Sequence, residues 1–196
     1  MPKGARYIDL PDSDLWYYPN FLSDSMATET FNTLKSSIAW QHDTIKVYGK
    51  TYPQPRLTAL YSTNNKPYSY SNITMVPHNF TEELLAIKKA IELIEPSTFT
   101  TCLANLYRNG KDSNGWHADD EASLGVNPVI ASVSLGQHRM FHMKHKKDAD
   151  LKHKMLLEHG SLLLMKGCTQ HNWLHQIPKT TRSIGERINL TFRIIL

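Results

Sequence analysis

Two histidines and an aspartate are spaced along the chain in a way that suits the protein ligands of a metal ion. His117 and Asp119 are two residues apart, so on an extended segment both side chains point to the same side. His175 would have to reach them from a distant strand. Two imidazoles and one carboxylate can occupy one face of an iron(II) octahedron and leave the other positions open for a co-substrate and dioxygen. Because a chain with 10 histidines can contain such a pair by chance, the hypothesis depends on neighbouring motifs.

The last ten residues, 187–196, alternate polar and apolar side chains, which is the period of a half-buried strand. The polar face of this strand holds Arg187, Asn189, Thr191 and Arg193. Arginine on a rigid strand is suited to binding a carboxylate through two charge-assisted hydrogen bonds. A metal with open positions beside two arginines suggests a dicarboxylate co-substrate. The alternative is an edge strand whose polar face lies in water.

A further motif lies just upstream of the His-x-Asp pair, where an asparagine and a tyrosine are two residues apart. In chain order the set is Asn105-x-Tyr107, His117-x-Asp119, His175 and Arg187-x-Asn189-x-Thr191-Phe192-Arg193. This ordered set resembles the AlkB family of iron(II)- and 2-oxoglutarate-dependent dioxygenases, over about residues 15–196. The resemblance implies a mainly β (α+β) fold, a double-stranded β-helix or jelly roll with supporting helices and a nucleotide-recognition lid.

The same resemblance implies the site chemistry. His117, Asp119 and His175 would hold iron(II), with 2-oxoglutarate and dioxygen as co-substrates. Arg187 would pair with the distal carboxylate of 2-oxoglutarate, and Arg193 would lie near the metal-bound end. Hydroxylation of a methyl carbon on nitrogen, coupled to decarboxylation of 2-oxoglutarate to succinate, would give a hemiaminal that releases formaldehyde. The other implied 2-oxoglutarate residues are Asn105, Tyr107, Thr191 and Asn189, the last either an ordering residue or an ordinary strand residue.

Residues 55–58 and 66–71 resemble the family's nucleotide-recognition lid, which would span about residues 40–75. Tyr70 would stack on a flipped-out base, and Tyr68 would contact the nucleotide. A base must leave the helical stack before it can approach the metal, so aromatic faces that replace the lost stacking suit this chemistry. Glu121, or less favourably Asp120, would accept a hydrogen bond from an exocyclic amine of the base. The alternatives are ordinary surface tyrosines and an exposed acidic turn.

Residues 47–50 resemble the hairpin that duplex-acting AlkB homologues push into the gap left by the everted base. Tyr48 stands where those relatives have phenylalanine, and its hydroxyl makes deep insertion less favourable. The lysine run from residue 144 could hold phosphates of the complementary strand, although such a run is commonly a solvated loop. The implied DNA contacts are Val47, Tyr48, Gly49, Arg56, Lys144, Lys146 and Lys147.

Composition agrees with one enzyme-sized domain of 196 residues, with a leader over about residues 1–14. Cys102 and Cys168 lie in apolar segments and predict buried thiols in a reducing compartment. The net charge of +4 favours a polyanionic partner only mildly. With no signal-peptide pattern and no long apolar run, we expect an intracellular, monomeric protein away from membranes, cytoplasmic if bacterial and nuclear if eukaryotic.

Apolar spacing and capping residues predict two helices, one over residues 24–38 capped by Ser23 and one from Thr81 to a stop at Pro96. Glycines punctuate the second half of the chain, as is typical of an antiparallel jelly roll. The predicted strands are residues 98–107, 129–135, 139–143, 161–165 and 186–195.

These patterns favour an oxidative demethylase that repairs 1-methyladenine and 3-methylcytosine in alkylated DNA, including duplex DNA. The first alternative is the same chemistry on single-stranded DNA or RNA. The second is a non-catalytic nucleic-acid binding module with a structural metal. The complete ligand set and both arginines argue against this second alternative, because a pure binder needs no open metal face.

Overall fold

The computed structural model describes residues 4–47, 50–70 and 73–195, and for residues 45–47, 50, 51, 68–70 and 73 it describes the backbone only. A 3-10 turn spans Ala122–Leu124. The elements in chain order are β1 (Arg6–Ile8), β2 (Asp14–Tyr18), α1 (Asp24–Ser37), β3 (Thr44–Val47), β4 (Lys50–Pro53), β5 (Leu57–Ser62), β6 (Tyr68–Tyr70), β7 (Ile73–Met75), β8 (His78–Asn79), α2 (Glu82–Glu92), β9 (Thr101–Tyr107), β10 (Asn114–His117), β11 (Ile130–Gly136), β12 (Arg139–His145), β13 (Lys152–Leu157), β14 (Ser161–Lys166), α3 (Thr169–Asn172), β15 (Trp173–Ile177) and β16 (Arg187–Arg193).

Two sheets form the body of the protein. The larger sheet has eight strands in the order β1-β2-β14-β11-β16-β9-β5-β8, and the smaller has four in the order β10-β15-β12-β13. Neighbouring strands are mostly distant in sequence, and nearly all pairs are antiparallel, as in a double-stranded β-helix. The mainly β fold predicted from the sequence is therefore confirmed.

An apolar cluster joins the two longer helices to one face of the larger sheet. Leu34 of α1 and Leu84 and Ile91 of α2 are fully buried in this cluster, together with Leu190 and Phe192 of β16. These helix residues recur at helical spacing, which gives each helix one apolar side. The helices thus support the sheet from outside, and none of those in the described part of the chain is long and apolar enough to cross a membrane.

A second apolar cluster lies between the two sheets. Leu163 and Met165 of β14 contribute to it from the larger sheet, and Phe141, Trp173 and Ile177 contribute from the smaller one. All five side chains are at most 5% exposed. The two sheets are therefore packed face to face around a common interior, which is the sandwich form of the jelly roll.

β16 lies at the centre of the larger sheet, paired with β11 on one side and β9 on the other. Its apolar residues face the helices, and its polar residues face the smaller sheet. All seven residues of the strand are buried. The alternative of an edge strand with a polar face in water is therefore wrong, and the polar face lies inside the sandwich.

Both predicted helices are present with the predicted caps. The Ser23 hydroxyl accepts the Met26 backbone N–H at 3.3 Å, and the Thr81 hydroxyl accepts that of Leu84 at 3.4 Å. α2 ends at Glu92, earlier than the predicted stop. Leu93 caps the helix with helical backbone angles and is 90% exposed, and Pro96 disfavours helical backbone in Glu95.

Several predicted boundaries differ from the structure. Part of the predicted leader, Arg6–Ile8, forms β1 and pairs with β2 at the edge of the larger sheet. Within the predicted lid, β5 belongs to the larger sheet, whereas β3–β4 and β6–β7 form separate two-stranded hairpins. β12 continues to His145, so Lys144 lies in a strand rather than in a loop.

Gly136, where β11 ends, should not tolerate a side chain. Its φ is +82°, and an added Cβ would lie 2.6 Å from the Glu186 carbonyl oxygen and 2.7 Å from the Phe31 ring. A left-handed backbone costs a non-glycine residue about 1 to 3 kcal/mol. We expect Gly136→Ala to lower the free energy of unfolding in urea by at least that amount. Gly115→Ala, with open space around its Cβ, is the control; equal midpoints for the two variants would contradict the strain argument.

Candidate metal and dicarboxylate site

Pairing between β10 and β15 brings the two sequence-predicted histidines together. His117 and His175 are direct partners in the antiparallel register, and their ring centroids are 4.2 Å apart. Asp119 follows two residues after the end of β10. One ligand atom from each of the three residues lies within 4.8 Å of the others, which is compact enough for a single metal ion. The structure thus assembles the set that the sequence predicted.

Asp119 is held by two partners that fix its orientation. Its backbone N–H donates to Gln170 Oε1 at 2.9 Å, and its Oδ1 accepts from Arg193 Nη2 at 2.8 Å. Burial by itself would raise the pKa of Asp119, but Arg193 and the two histidines outweigh it and lower the pKa below its ordinary value. Asp119 is therefore a carboxylate, the form that binds a metal.

His175 is presented in the neutral form that a metal requires. Burial and the neighbouring His117 lower the pKa of His175 to about 3. His117 Nδ1 lies 2.7 Å from the Gly115 carbonyl oxygen, so Nδ1 carries the proton and donates it there. The lone pair of His117 Nε2 is then available, and the Asn114 side-chain amide, 3.1 Å away, can donate to it.

A cavity of about 340 Å³ opens beside the three ligands, between the two sheets. The polar face of β16 forms one wall, and apolar residues of both sheets form the others. The polar lining includes the four polar residues of β16 and also residues of other elements, among them Arg56, Asn105 and Glu121. The apolar lining residues include Leu103, Phe141, Leu157, Met165 and Ile177.

Arg187 lines this cavity as a buried cation that lacks an anion. It is 1% exposed, and Nη2 donates to Ser134 Oγ at 2.9 Å. Within the described residues, Nε and Nη1 have no hydrogen-bond partner and no carboxylate lies within 4.0 Å. Burial lowers the pKa of Arg187 to about 10, although Tyr107 opposes this. A buried, incompletely bonded guanidinium is costly, so this position fits a ligand carboxylate.

A second buried arginine also lies beside Tyr107. The guanidinium carbons of Arg187 and Arg139 lie 5.2 Å and 5.5 Å from the Tyr107 ring centroid. Arg139 differs from Arg187 because backbone carbonyls satisfy it: Nη2 donates to Asp112 at 2.9 Å and to Pro178 at 2.7 Å. Arg139 thereby connects two loops and also contacts the Tyr107 ring.

The remaining polar residues of the strand face are bonded mainly to one another. Asn189 Nδ2 donates to Ser132 Oγ at 2.8 Å, and its Oδ1 accepts from Thr191 Oγ1 at 3.1 Å. Asn105 Oδ1 accepts from Arg56 Nε at 2.7 Å. Arg56 is 6% exposed and lines the cavity, and this location favours a role in the pocket over contact with a DNA backbone.

The two acidic residues after the metal ligand have different surroundings. Asp120 is bonded to Lys146, whose ammonium donates to Oδ2 at 2.8 Å. Glu121 lines the cavity, and within the described part of the chain its buried Oε2 has no hydrogen-bond partner. An acceptor in that state fits an amine of a ligand in the cavity, which favours Glu121 over Asp120.

The lysines predicted to contact DNA are not equivalent. Lys144 points outward from β12, and its ammonium lies 4.6 Å from the Trp116 ring centroid. Lys146 is occupied by Asp120 and by the Gln170 carbonyl oxygen. Lys147 is exposed after the end of β12. Tyr48 and Gly49 lie outside the described residues, and only the backbone is described for Val47, Tyr68 and Tyr70.

Four residues of this site were not predicted from the sequence. Gln170 and Arg139 act through backbone groups of distant loops, and no local motif marks such contacts. Ser132 and Ser134 did carry a signal, because they are polar residues at alternate positions of an otherwise apolar strand. Such a pair indicates a strand face directed at a polar site.

Comparison with known proteins agrees with this geometry. Residues 14–193 match the family model of the 2OG-Fe(II) oxygenase superfamily. Alpha-ketoglutarate-dependent dioxygenase alkB homolog 3 of Bos taurus is 44% identical over 186 residues, covering 90% of this chain. This chain spans 64% of that relative's length. DNA oxidative demethylase ALKBH2 of Arabidopsis thaliana is 37% identical over 226 residues, covering 98% of this chain and 70% of the relative.

A solved structure supports the fold independently. The structure of OsALKBH1 superposes with a TM-score of 0.68 at 18% sequence identity, covering 97% of this chain and 99% of the other. At that identity the similarity concerns the fold alone. The family match, the two sequence relatives and the shared fold all agree with the ordered motifs. The chain belongs to the AlkB family of the 2OG-Fe(II) oxygenase superfamily, whose cofactors are iron(II) and 2-oxoglutarate.

Proposed function

We propose that this protein is an iron(II)- and 2-oxoglutarate-dependent dioxygenase that removes N-methyl groups from bases of alkylated DNA. The observation that carries the proposal is one cavity holding both a three-residue metal-ligand set and a buried arginine without an anion. The metal ligands and Arg187 are the two protein parts needed to bind a metal and a dicarboxylate side by side. 1-Methyladenine and 3-methylcytosine are the substrates we expect.

In this proposal His117, Asp119 and His175 hold iron(II). Arg193 keeps Asp119 ionised and fixes the direction of its free lone pairs, because it bonds Oδ1 from the cavity wall. Gln170 fixes the backbone of the same residue. Bound together with 2-oxoglutarate and dioxygen, the iron would supply oxidation of a C–H bond on the N-methyl carbon, with succinate, carbon dioxide, formaldehyde and the demethylated base as products.

Arg187 would bind the distal carboxylate of 2-oxoglutarate. Its Nε and Nη1 have no hydrogen-bond partner within the described residues and can donate to ligand oxygens, while Ser134 holds Nη2. Tyr107 limits the movement of the guanidinium on one side, and Arg139 supports Tyr107. The bonds of Asn105 and Asn189 to neighbouring side chains favour a role in keeping this wall rigid.

The substrate proposal rests on the relatives' names and on Glu121. One relative is named a DNA oxidative demethylase, and in this chain the unsatisfied Oε2 of Glu121 lines the cavity close to the metal ligands. That acceptor suits the exocyclic amine of adenine or cytosine. Tyr70 and Tyr68 are proposed to contact the everted base and its nucleotide from the lid.

Whether the base is taken from duplex or single-stranded nucleic acid depends on the hairpin around Tyr48. We propose that Tyr48, flanked by Val47 and Gly49, fills the gap left in a duplex. The alternative is the same chemistry on single-stranded DNA or RNA. We expect a monomer that acts where the cell keeps its nucleic acids. A purely structural metal would not need Arg187 left without an anion, which argues against a non-catalytic binding module.

Removal of the metal-binding carboxylate should abolish turnover. Asp119→Ala deletes one of the three proposed ligands, so we expect formaldehyde release from methylated DNA to fall to the metal-free background. Affinity for the unmethylated oligonucleotide should stay nearly unchanged. Asp150→Ala in the exposed turn is the control. Formaldehyde release by folded Asp119→Ala above the metal-free background would disprove the ligand assignment.

Removal of the cavity arginine should selectively weaken the binding of 2-oxoglutarate. Losing one partner of a buried charge pair costs roughly 2 to 5 kcal/mol, so Arg187→Ala should lower the affinity strongly. Anaerobic titration of the iron-loaded protein, followed by its weak visible charge-transfer band, measures this directly. Arg182→Ala, which removes an exposed arginine, is the matched control. Saturation at the same 2-oxoglutarate concentration in both variants would rule out the proposed contact.

Two tyrosine variants separate duplex from single-strand action. Base-aromatic stacking is worth roughly 1 to 3 kcal/mol, so Tyr48→Ala should lower turnover on methylated duplex by about five- to one-hundred-fold while sparing single strands. Tyr70→Ala should impair both substrates, because the everted base needs its stacking partner in either case. If Tyr48→Ala lowers turnover equally on both, the hairpin has no duplex role and the single-strand or RNA alternative is favoured.

A further inference from the structure

The smaller sheet has an outer face that the proposed chemistry does not use. Along β12 and β13 burial alternates, and the outward side chains include Lys144, Lys152 and Lys154. Trp116 of β10 lies on the same side, because its neighbour His117 points inward to the metal site. Trp116 is 40% exposed. We call these four residues, Trp116, Lys144, Lys152 and Lys154, the basic outer face.

The charges on this face repel one another in the folded protein. Lys144 and Lys152 are direct cross-strand partners, and Lys154 is the direct partner of His142. Like charges directly opposite in an antiparallel pair are destabilising. Within the described residues no carboxylate lies within 4.0 Å of these three lysines, whereas Lys146 and Lys166 are both paired with acids. The fold thus keeps a row of positive charge that an external anion would relieve.

The basic outer face begins at the rim of the catalytic cavity. Trp116 is among the residues that line the cavity, and its ring also packs under the Lys144 ammonium, 4.6 Å from the ring centroid. Lys144 is in register with Leu174 of β15 on one side and Lys152 of β13 on the other. Because strands are about 4.8 Å apart, the face extends roughly 14 Å from β10 to β13.

A row of lysines beside an exposed aromatic ring is typical of a surface that binds single-stranded nucleic acid. The ammonium groups neutralise phosphates, and an aromatic ring can stack on any unpaired base. A duplex keeps its bases paired and could offer only phosphates. An acidic peptide could neutralise the lysines but would offer no base to stack on the aromatic ring. A nucleotide that flanks the everted base must pass the cavity rim, where this ring lies.

We propose that the basic outer face binds the single-stranded flank of the nucleic-acid substrate, with one unpaired base stacked on Trp116 and phosphates on the three lysines. This inference rests on the proposed function, because it takes the cavity to hold an everted base. It adds a second contact surface outside the cavity. A paired flank cannot stack on Trp116, so confirmation of this surface would replace the duplex role proposed for Tyr48 by the single-stranded alternative.

The test compares binding of fluorescently labelled, unmethylated oligonucleotides by anisotropy. A triple variant, Lys144→Ala, Lys152→Ala and Lys154→Ala, should weaken binding of a 20-nucleotide single strand and reduce its salt slope by about 2, since each lost single-strand contact contributes roughly 0.7. Binding of a mononucleotide, which cannot reach from the cavity across the face, should change far less. The control triple has the same charge change at exposed positions elsewhere, namely Lys89→Ala, Lys111→Ala and Lys179→Ala.

The stacking role of Trp116 is tested separately. Trp116→Ala should lower the affinity for the 20-nucleotide strand by about five- to one-hundred-fold. Trp116→Phe should recover most of the affinity because it keeps a stacking face. DNA and RNA versions should lose affinity alike, since phosphates and base faces are common to both. Equal losses for the two lysine triples, or a loss on duplex as large as on single strands, would overturn the inference. Formaldehyde release by the unmodified protein is measured in parallel, and its absence would refute the proposed function rather than this surface.

Discussion

A buried ion pair between Arg193 and Asp119 joins the central strand of the larger sheet to the loop that follows β10 in the smaller one. The two side chains are only 6% and 5% exposed, and their atoms approach to 2.8 Å. Removing one partner of such a pair typically costs roughly 3 to 5 kcal/mol, because the other charge stays buried and uncompensated. The pair therefore sets the position of the carboxylate proposed to bind the metal relative to β16, and the cavity lies beside it between the two sheets.

The polar face of β16 has a second structural consequence. Four polar side chains at alternate positions of a central strand cannot pack as an apolar core, so the sheets enclose a polar cavity at that level and an apolar cluster elsewhere. This face was predictable, because alternation marks it in the sequence, and so were the Ser23 and Thr81 caps. β13 and β15 were not predicted. β13 is rich in lysine, and β15 is a five-residue strand placed by pairing with distant β10 and β12.

Residue type predicted the metal ligands better than the DNA contacts, for a physical reason. Metal ligation needs specific atoms in one place, and the His-x-Asp spacing already fixes two of three. A basic side chain can serve many purposes, and only the tertiary structure decides among them. Arg56 is enclosed beside Asn105, and Lys146 is bonded to Asp120, while Lys144 remains on an outward face without an acidic partner. No local pattern in the chain separates these outcomes.

The two arginines beside Tyr107 differ in how far the protein itself satisfies their hydrogen-bond donors. Backbone carbonyls of two loops satisfy Arg139, so that side chain is already stable in the protein alone. Arg187 donates to Ser134, but two of its buried nitrogens have no partner within the described residues. An unsatisfied buried cation lowers the stability of the ligand-free fold, and a carboxylate that completes its bonds removes that cost. Because a ligand that binds only the folded state stabilises it, affinity for the dicarboxylate and stability of the sandwich are linked through this one guanidinium.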